Sequence, residues 1–445
     1  MNTSMADAAA RLIASSTARR APVAADPFFP EGAAADARDY AAALSLLPQG
    51  AGPGASVHIH VPFCPTRCLS CDHNTVISHD PAAVDAYLDA LEREFGLVTA
   101  RLGGRRQVAQ LHLGGGTPNY LSDAQLVRLA ALVETHFILA PDADVSLEAS
   151  PVRASAGQLD LLVGLGFNAI HFELRDLDPA VQQAIGRSHS LAMLHEVFAS
   201  AREAGMQTIG MDILYGLPGQ TVSGMRETVA QTLSLQPDRV HCHPYSRRIE
   251  RFPHQRAIDP QSLPSLGDKL ALFDALSTGL EDAGYRWIGL DGFVRDGDPL
   301  AHAQREGRLH RTRIGYTRHA TRDVFGFGTG AISEVSSLLL QNHTDIGLWQ
   351  AELARGALPV HRGVRLDHAQ RQRRDAMTQL LCNLKLAADA TLAASLAESV
   401  QSGLIRLTDE GVSVTPQGRL VLHHMMSDSS PAHRWGGLWQ LPLTG

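Results

Sequence analysis

Residues 56–71 read SVHIHVPFCPTRCLSC, a strand-like run that breaks into three cysteines within eight residues. Cys64, Cys68 and Cys71 make a C-x3-C-x2-C pattern in the loop that follows the run. Thiolates are soft ligands that suit zinc or iron–sulfur centres. A structural zinc would take His73 as the fourth member of a Cys3His tetrahedron. Zinc sites often draw on two separated ligand pairs, however, whereas these three donors share one loop. Three thiolates on a [4Fe–4S] cluster leave one iron open to a ligand. The remaining cysteines, Cys242 and Cys382, lie in apolar surroundings and are expected to be buried small hydrophobes. An odd count of five in 445 residues is no disulfide framework and fits a reducing compartment.

Outward from the cysteine loop, strand-like and helical runs alternate. The strand candidates begin at Ser56, Ala109, Ala143, Asn168, Met206 and Arg239, with helical runs such as 84–98 and 122–137 between them. Six such repeats predict an α/β fold with a parallel sheet and outer helices. Right-handed crossovers curl it into a partial (β/α)6-type barrel, with chemistry at the C-terminal strand ends. The expected organisation is an N-terminal extension and linker over 1–50 and a barrel core over 51–265. A barrel completion with an arginine-rich segment over 266–370 follows. A mainly helical, winged-helix-like domain over 371–445 ends the chain. Net charge is −7, which disfavours nucleic acid as the main partner. The sequence holds no run of about 18 apolar residues, so no membrane span is expected. The N-terminus lacks the continuous apolar core of a secretory signal, so a cytoplasmic location is expected.

A second motif, LHLGGGTPNYLS from Leu111, places Gly114, Gly115 and Gly116 at a strand end, where backbone can approach a ligand closely. Together, HVPFCPTRCLSC and this glycine turn resemble the radical S-adenosylmethionine (SAM) superfamily. MDILYGLPGQT from Met211, LGFNAIHFELRDLDPAVQQAIGR from Leu165 and REGRLHR at 305–311 resemble one subfamily, the oxygen-independent coproporphyrinogen III oxidases (dehydrogenases). The resemblance runs from about residue 56 to about 424. It implies one [4Fe–4S] cluster on Cys64, Cys68 and Cys71, with SAM on the open iron and the number of SAM molecules left open. It implies SAM contacts from Gly115, Gly116, Thr117, Glu148, Arg175, Arg187, Asp212, Ser246 and Ile332. His58 takes the position of a subfamily tyrosine before the loop and is the catalytic candidate. The activity implied is oxidative decarboxylation of two propionates of coproporphyrinogen III to give protoporphyrinogen IX, fed by an unidentified electron donor. A monomer is expected.

The chain departs from the subfamily near the site. His58 replaces tyrosine, His73 a fourth cysteine, Arg175 a glutamine, and Ser70 an aromatic; DGF at 291–293 replaces a DHF-like sequence. These departures keep two alternatives in view: a diverged radical SAM enzyme acting on another tetrapyrrole or anionic substrate, and a haem-binding or haem-transfer protein. The substrate class can be weighed by charge. Between 295 and 322 stand Arg295, Arg305, Arg308, Arg311, Arg313, Arg318 and Arg322, opposed by Asp296, Asp298 and Glu306. Arg247, Arg248 and Arg251 add a second group. Guanidinium forks pair with carboxylates in two-pronged fashion, so Arg311 and Arg313 are the substrate candidates.

Overall fold

Thirteen strands form one sheet in the computed structural model, which describes residues 32–48, 54–320, 323–387, 400–409 and 411–420. In chain order they are β1 Ala33–Ala34, β2 Ala55–Val61, β3 Arg106–Gly115, β4 Phe137–Ala149, β5 Ala169–Arg175, β6 Thr208–Tyr215, β7 Arg239–Pro244, β8 Tyr285–Ile288, β9 Gly292–Arg295, β10 Val324–Phe327, β11 Ile332–Val335, β12 Leu338–Asn342 and β13 Val360–Arg365. Their spatial order is β1-β13-β12-β11-β10-β2-β3-β4-β5-β6-β7-β9-β8. The six expected strands, β2 to β7, lie side by side and parallel. A seventh parallel strand, β10, adds to β2 from within the segment expected to complete the barrel. Among the described residues the end strands β1 and β8 do not pair with each other, so the barrel stays open.

The helices begin where the sequence marks them. Ser122 caps helix Asp123–His136 in a reciprocal capping box with Gln125, and Leu126, Leu129 and Val133 turn inward. Asp80 caps helix Pro81–Arg101, which buries Tyr87, Leu91, Phe95 and Val98. The strands alternate accordingly. On β7, Val240 and Cys242 are fully buried toward the helix layer, whereas Arg239, His241 and His243 line the barrel.

Residues 33–46, expected to belong to a linker, instead join the sheet. β1 pairs with β13, and Tyr40 donates a hydrogen bond to Ser333 Oγ at 3.1 Å. Tyr40 and Leu44 are buried, which repays ordering this short segment. At the other end, helix His368–Asn383 and a three-stranded sheet, Lys385–Leu386, Gly411–Val414 and Ile405–Thr408, make up the described part of the winged-helix-like unit. Arg419 ties it to the barrel: its guanidinium stacks 3.9 Å over Trp287 and donates to Gly289 O at 2.8 Å. Cys242 and Cys382 are both fully buried, as expected.

Candidate active site

The cysteine loop leaves β2 at Pro62 and is held from three sides. Phe63–Cys64 pairs with Val76–Ile77, Leu69 N–H donates to Ile185 O at 3.0 Å, and Gln255 Nε2 donates to Cys71 O at 3.0 Å. All three cysteines line one cavity of about 750 Å³ at the C-terminal ends of the parallel strands. Gly115, Gly116, Thr117, Glu148, Arg175, Arg187, Asp212, Ser246 and Arg311 line the same cavity. Cys64 Sγ lies 3.3 Å from Thr117 Oγ1, joining the cysteine loop to the glycine turn. Burial pushes the Cys64 thiol up to about 12.

The glycines have a second reason beyond ligand approach. Gly115 sits at φ 115°, and a Cβ there would stand 2.5 Å from the His60 ring. A Cβ on Gly116 would stand 2.7 Å from backbone of Pro62 and Phe63. The turn therefore crosses directly over the strand that delivers the cysteines, with Gly116 N–H donating to Val61 O at 2.8 Å. Any side chain would push the two motifs apart.

Charge in the cavity is paired and buried. Glu148 accepts from Gly115 N–H at 2.9 Å and faces His112 Nε2 at 3.5 Å. Burial alone would raise its pKa, but His112, His73 and the Gly115 N–H together hold it low. Arg175 ends β5 at φ 74°, next to a register shift opposite β6. Its guanidinium reaches Glu173 at 2.5 Å and Asp212 at 3.4 Å. Arg187 bonds to the Glu173 carbonyl and lies 3.5 Å from its carboxylate, while its buried Nε has no hydrogen-bond partner. Asp212 also accepts from His171; burial opposes ionisation, but His171, His243 and Arg175 hold the carboxyl below its ordinary range.

A second cavity of about 470 Å³ continues below, sharing Glu148, Asp212, His243, Asp291 and Arg311 with the first. Arg313 and Arg318 line it. Arg311 has a carboxylate partner of its own: it lies 3.5 Å from Asp291, and it stacks 5.4 Å from the Tyr316 ring centre. Tyr316 donates to Asp291 at 2.6 Å and fills the space above Gly292, where a Cβ would come within 3.3 Å of it.

Several expectations need correction. Ile332 lies on β11, packed with Leu339 and Leu366, and lines neither cavity. It opens β11 beside Gly326, at the C-terminal end of the parallel strand β10. His58 also lines neither cavity. It is wedged against His112, ring centres 5.9 Å apart, and burial with its neighbouring histidines lowers its pKa to about 3, so it stays neutral. The arginine group is dispersed, because three of its members are spent on local structure. Arg295 bonds to Pro237 and Gln236 carbonyls, Arg305 to Asp296, and Arg308 to Glu306; Arg322 falls outside the described residues. Of the second group, Arg248 lines the cavity. His171, His241, His243 and Asp291 went unnoticed in the sequence. For His241 and His243 the signal was their H-x-H spacing within a strand, since alternate residues face one side.

A cysteine triad and a glycine turn at the open end of a parallel α/β barrel define a radical SAM enzyme, and residues 58–231 match the radical SAM superfamily. The chain is 37% identical over 388 residues to the oxygen-independent coproporphyrinogen III oxidase of Pseudomonas aeruginosa, covering 84% of each chain. It is 34% identical over 387 residues to that of Escherichia coli, covering 83% of this chain and 84% of the relative. The solved E. coli coproporphyrinogen III oxidase superposes with a TM-score of 0.82 at 32% identity, over 91% of this chain and 94% of that one. The chain belongs to the oxygen-independent coproporphyrinogen III oxidases.

Proposed function

We propose that this chain oxidatively decarboxylates two propionates of coproporphyrinogen III to vinyl groups, giving protoporphyrinogen IX. The observation that carries this reading is the single cavity into which the three thiols, the glycine turn and Arg311 all open, in a chain of this family. The donor set fits a cluster with one open iron: three thiols line the cavity and no fourth cysteine does. Among the described residues, the group that converges to the spacing of a single ion lies elsewhere, at His171, Asp212 and His241. When bound, the cluster and SAM supply a 5′-deoxyadenosyl radical that takes a hydrogen atom from the propionate β-carbon.

The protein's share is to hold and shield. Cys64, Cys68 and Cys71 would hold the cluster. The unpartnered Nε of Arg187 is a donor suited to a carboxylate, and Glu148 and Asp212 are acceptors suited to an ammonium or ribose hydroxyl. Thr117 and Ser246 complete that lining. Each propionate that loses hydrogen then loses carbon dioxide, and one further electron passes to an acceptor. Arg311 and Arg313 face the lower cavity and would hold propionates outside the reacting pair.

Anaerobic turnover of the cluster-loaded chain with SAM, a low-potential reductant and coproporphyrinogen III tests the reading. Protoporphyrinogen IX with two carbon dioxide molecules per substrate is expected. SAM cleavage that leaves the tetracarboxylate intact would favour the second reading, a different anionic tetrapyrrole. The histidine-lined wall and the Tyr316-filled space at Gly292 are the features that favour it.

A further inference from the structure

The floor of the lower cavity holds two histidines, His171 and His241, to which the decarboxylation assigns no role, on either side of Asp212. On neighbouring parallel strands, His171 of β5, Asp212 of β6 and His241 of β7 project to the same side. Each offers one ligand atom, and the three atoms lie within 4.8 Å of one another. We propose that His171, Asp212 and His241 form a mononuclear site for a divalent transition-metal ion, separate from the cysteine loop.

Two imidazoles and one carboxylate on one side of an ion suit zinc, iron, cobalt or nickel and leave positions open for other ligands. Ligands about 2.1 Å from such an ion stand roughly 3.0–3.5 Å apart. His171 Nε2 already bonds to Asp212 Oδ1, and His241 Nδ1 stands 3.9 Å from the same oxygen. Closure therefore needs His171 to draw back from Asp212 and His241 to move toward it, each by up to about 1 Å.

Three further observations point the same way. Nε2 of His241 is buried without a hydrogen-bond partner, and its Nδ1 stands beyond hydrogen-bond reach of Asp212. The rings of His171 and His241 stack with centres 4.8 Å apart, held side by side toward one carboxylate. Gly210 makes room for this: a Cβ there would lie 2.3 Å from His171 Nδ1, so only glycine admits the ring. Nearby cations are matched, Arg175 by Glu173, Arg239 by Asp298 and Arg311 by Asp291. Asp212 Oδ2 faces Arg175 and leaves Oδ1 to the imidazoles. His243, 3.9 Å from Oδ1, stands ready as a further ligand.

The test uses the full chain with its cluster loaded, dialysed anaerobically against cobalt(II) alone. Bound cobalt is counted by elemental analysis, and its shell is read by X-ray absorption. One cobalt per chain in a nitrogen–oxygen shell is expected. His171→Ala and His241→Ala should each weaken binding about a hundredfold or more, since loss of an outer-shell partner alone costs about 10–100-fold. Gly210→Ala, which displaces His171, should also weaken it. Iron content and SAM binding report whether each variant is folded; should His171→Ala lose both, Gly210→Ala and His241→Gln carry the comparison. A sulfur shell, substoichiometric cobalt, or affinity unchanged in folded variants overturns the site. No turnover is read, so the result stands apart from whether coproporphyrinogen III is the substrate.

Discussion

Arg175 carries the tension of the site in a single residue. A long side chain at φ 74° occupies the left-handed region at a cost of about 1 kcal/mol or more. The backbone is held there because the guanidinium reaches Glu173 and Asp212 at once, from a position with little exposure. Removing one partner from a buried charge group costs about 3–5 kcal/mol, because the others are left uncompensated. Arg175→Gln should therefore lower the thermal midpoint clearly, and Arg175→Gln with Glu173→Gln should recover part of the loss. Independent, additive losses in the double variant would show that the ion pair is not what holds this turn. Arg311 yields a second expectation. Arg311→Ala should weaken binding of the tetracarboxylate about ten- to a hundredfold, the reach of one charge-assisted pair. Since it also strands buried Asp291, the control is Asp291→Asn, which frees Arg311 and should leave binding equal or tighter by direct titration. At this scale the cysteines and Gly115 stood out by motif spacing and Glu148, Arg187 and Asp212 by the family resemblance, and all of them line the one cavity. Arg311's partner was not, because Asp291 lies 20 residues away and meets it only through the fold.

Elements read well where a local pattern shaped them. RVHCHP became β7 with its bounds unchanged, because polar and apolar residues alternate along it. Helix Asp123–His136 starts where Ser122 caps it. β10 escaped notice because VFGF is a four-residue run interrupted by Gly326 and closed by Gly328, whose parallel pairing with β2 spans more than 260 residues of chain. The β8–β9 hairpin explains one departure from the subfamily sequence. At Gly292 a Cβ would stand 2.9 Å from Ile288 and 3.3 Å from Tyr316, so the phenol occupies what a side chain at 292 would need. Gly292→His should thus destabilise by about 1–3 kcal/mol, the usual cost of overpacking. Gly292→His with Tyr316→Ala should recover part of that in urea unfolding. Equal stability of Gly292→His and the parent chain would remove Tyr316 as the reason for the glycine.

Across the whole molecule, closure of the barrel's early side depends on one buried carboxyl. Glu94, on helix Pro81–Arg101, accepts from Gly328 N–H at 2.8 Å, Asn342 Nδ2 at 2.6 Å and Trp349 Nε1 at 3.3 Å. It thereby joins that helix to the turn after β10, to β12 and to helix Ile346–Ala354. Tyr87, two turns earlier on the same helix face, donates to His60 O at 2.6 Å and accepts from Thr329 N–H, linking the same turn to the strand that bears the cysteine loop. Burial pushes the Glu94 carboxyl up to about 8 against the pull of its three donors. A carboxyl raised from an unfolded value of 4.5 binds its proton more tightly in the folded chain. Its contribution is therefore complete below about pH 4.5 and is lost as pH rises toward 8. At about 1.4 kcal/mol per pH unit, the loss amounts to about 3–5 kcal/mol across that window. Glu94→Gln, which stays neutral, should abolish this part of the slope: its urea midpoint relative to the parent should improve steadily from pH 6 to pH 8. Glu94→Ala should be worse than either at both values, because three buried donors lose their acceptor. Parallel pH profiles for the parent and Glu94→Gln would mean that Glu94 is ionised throughout. The three N–H groups would then hold a buried carboxylate, and the helix-to-turn junction would rest on charge rather than on a proton.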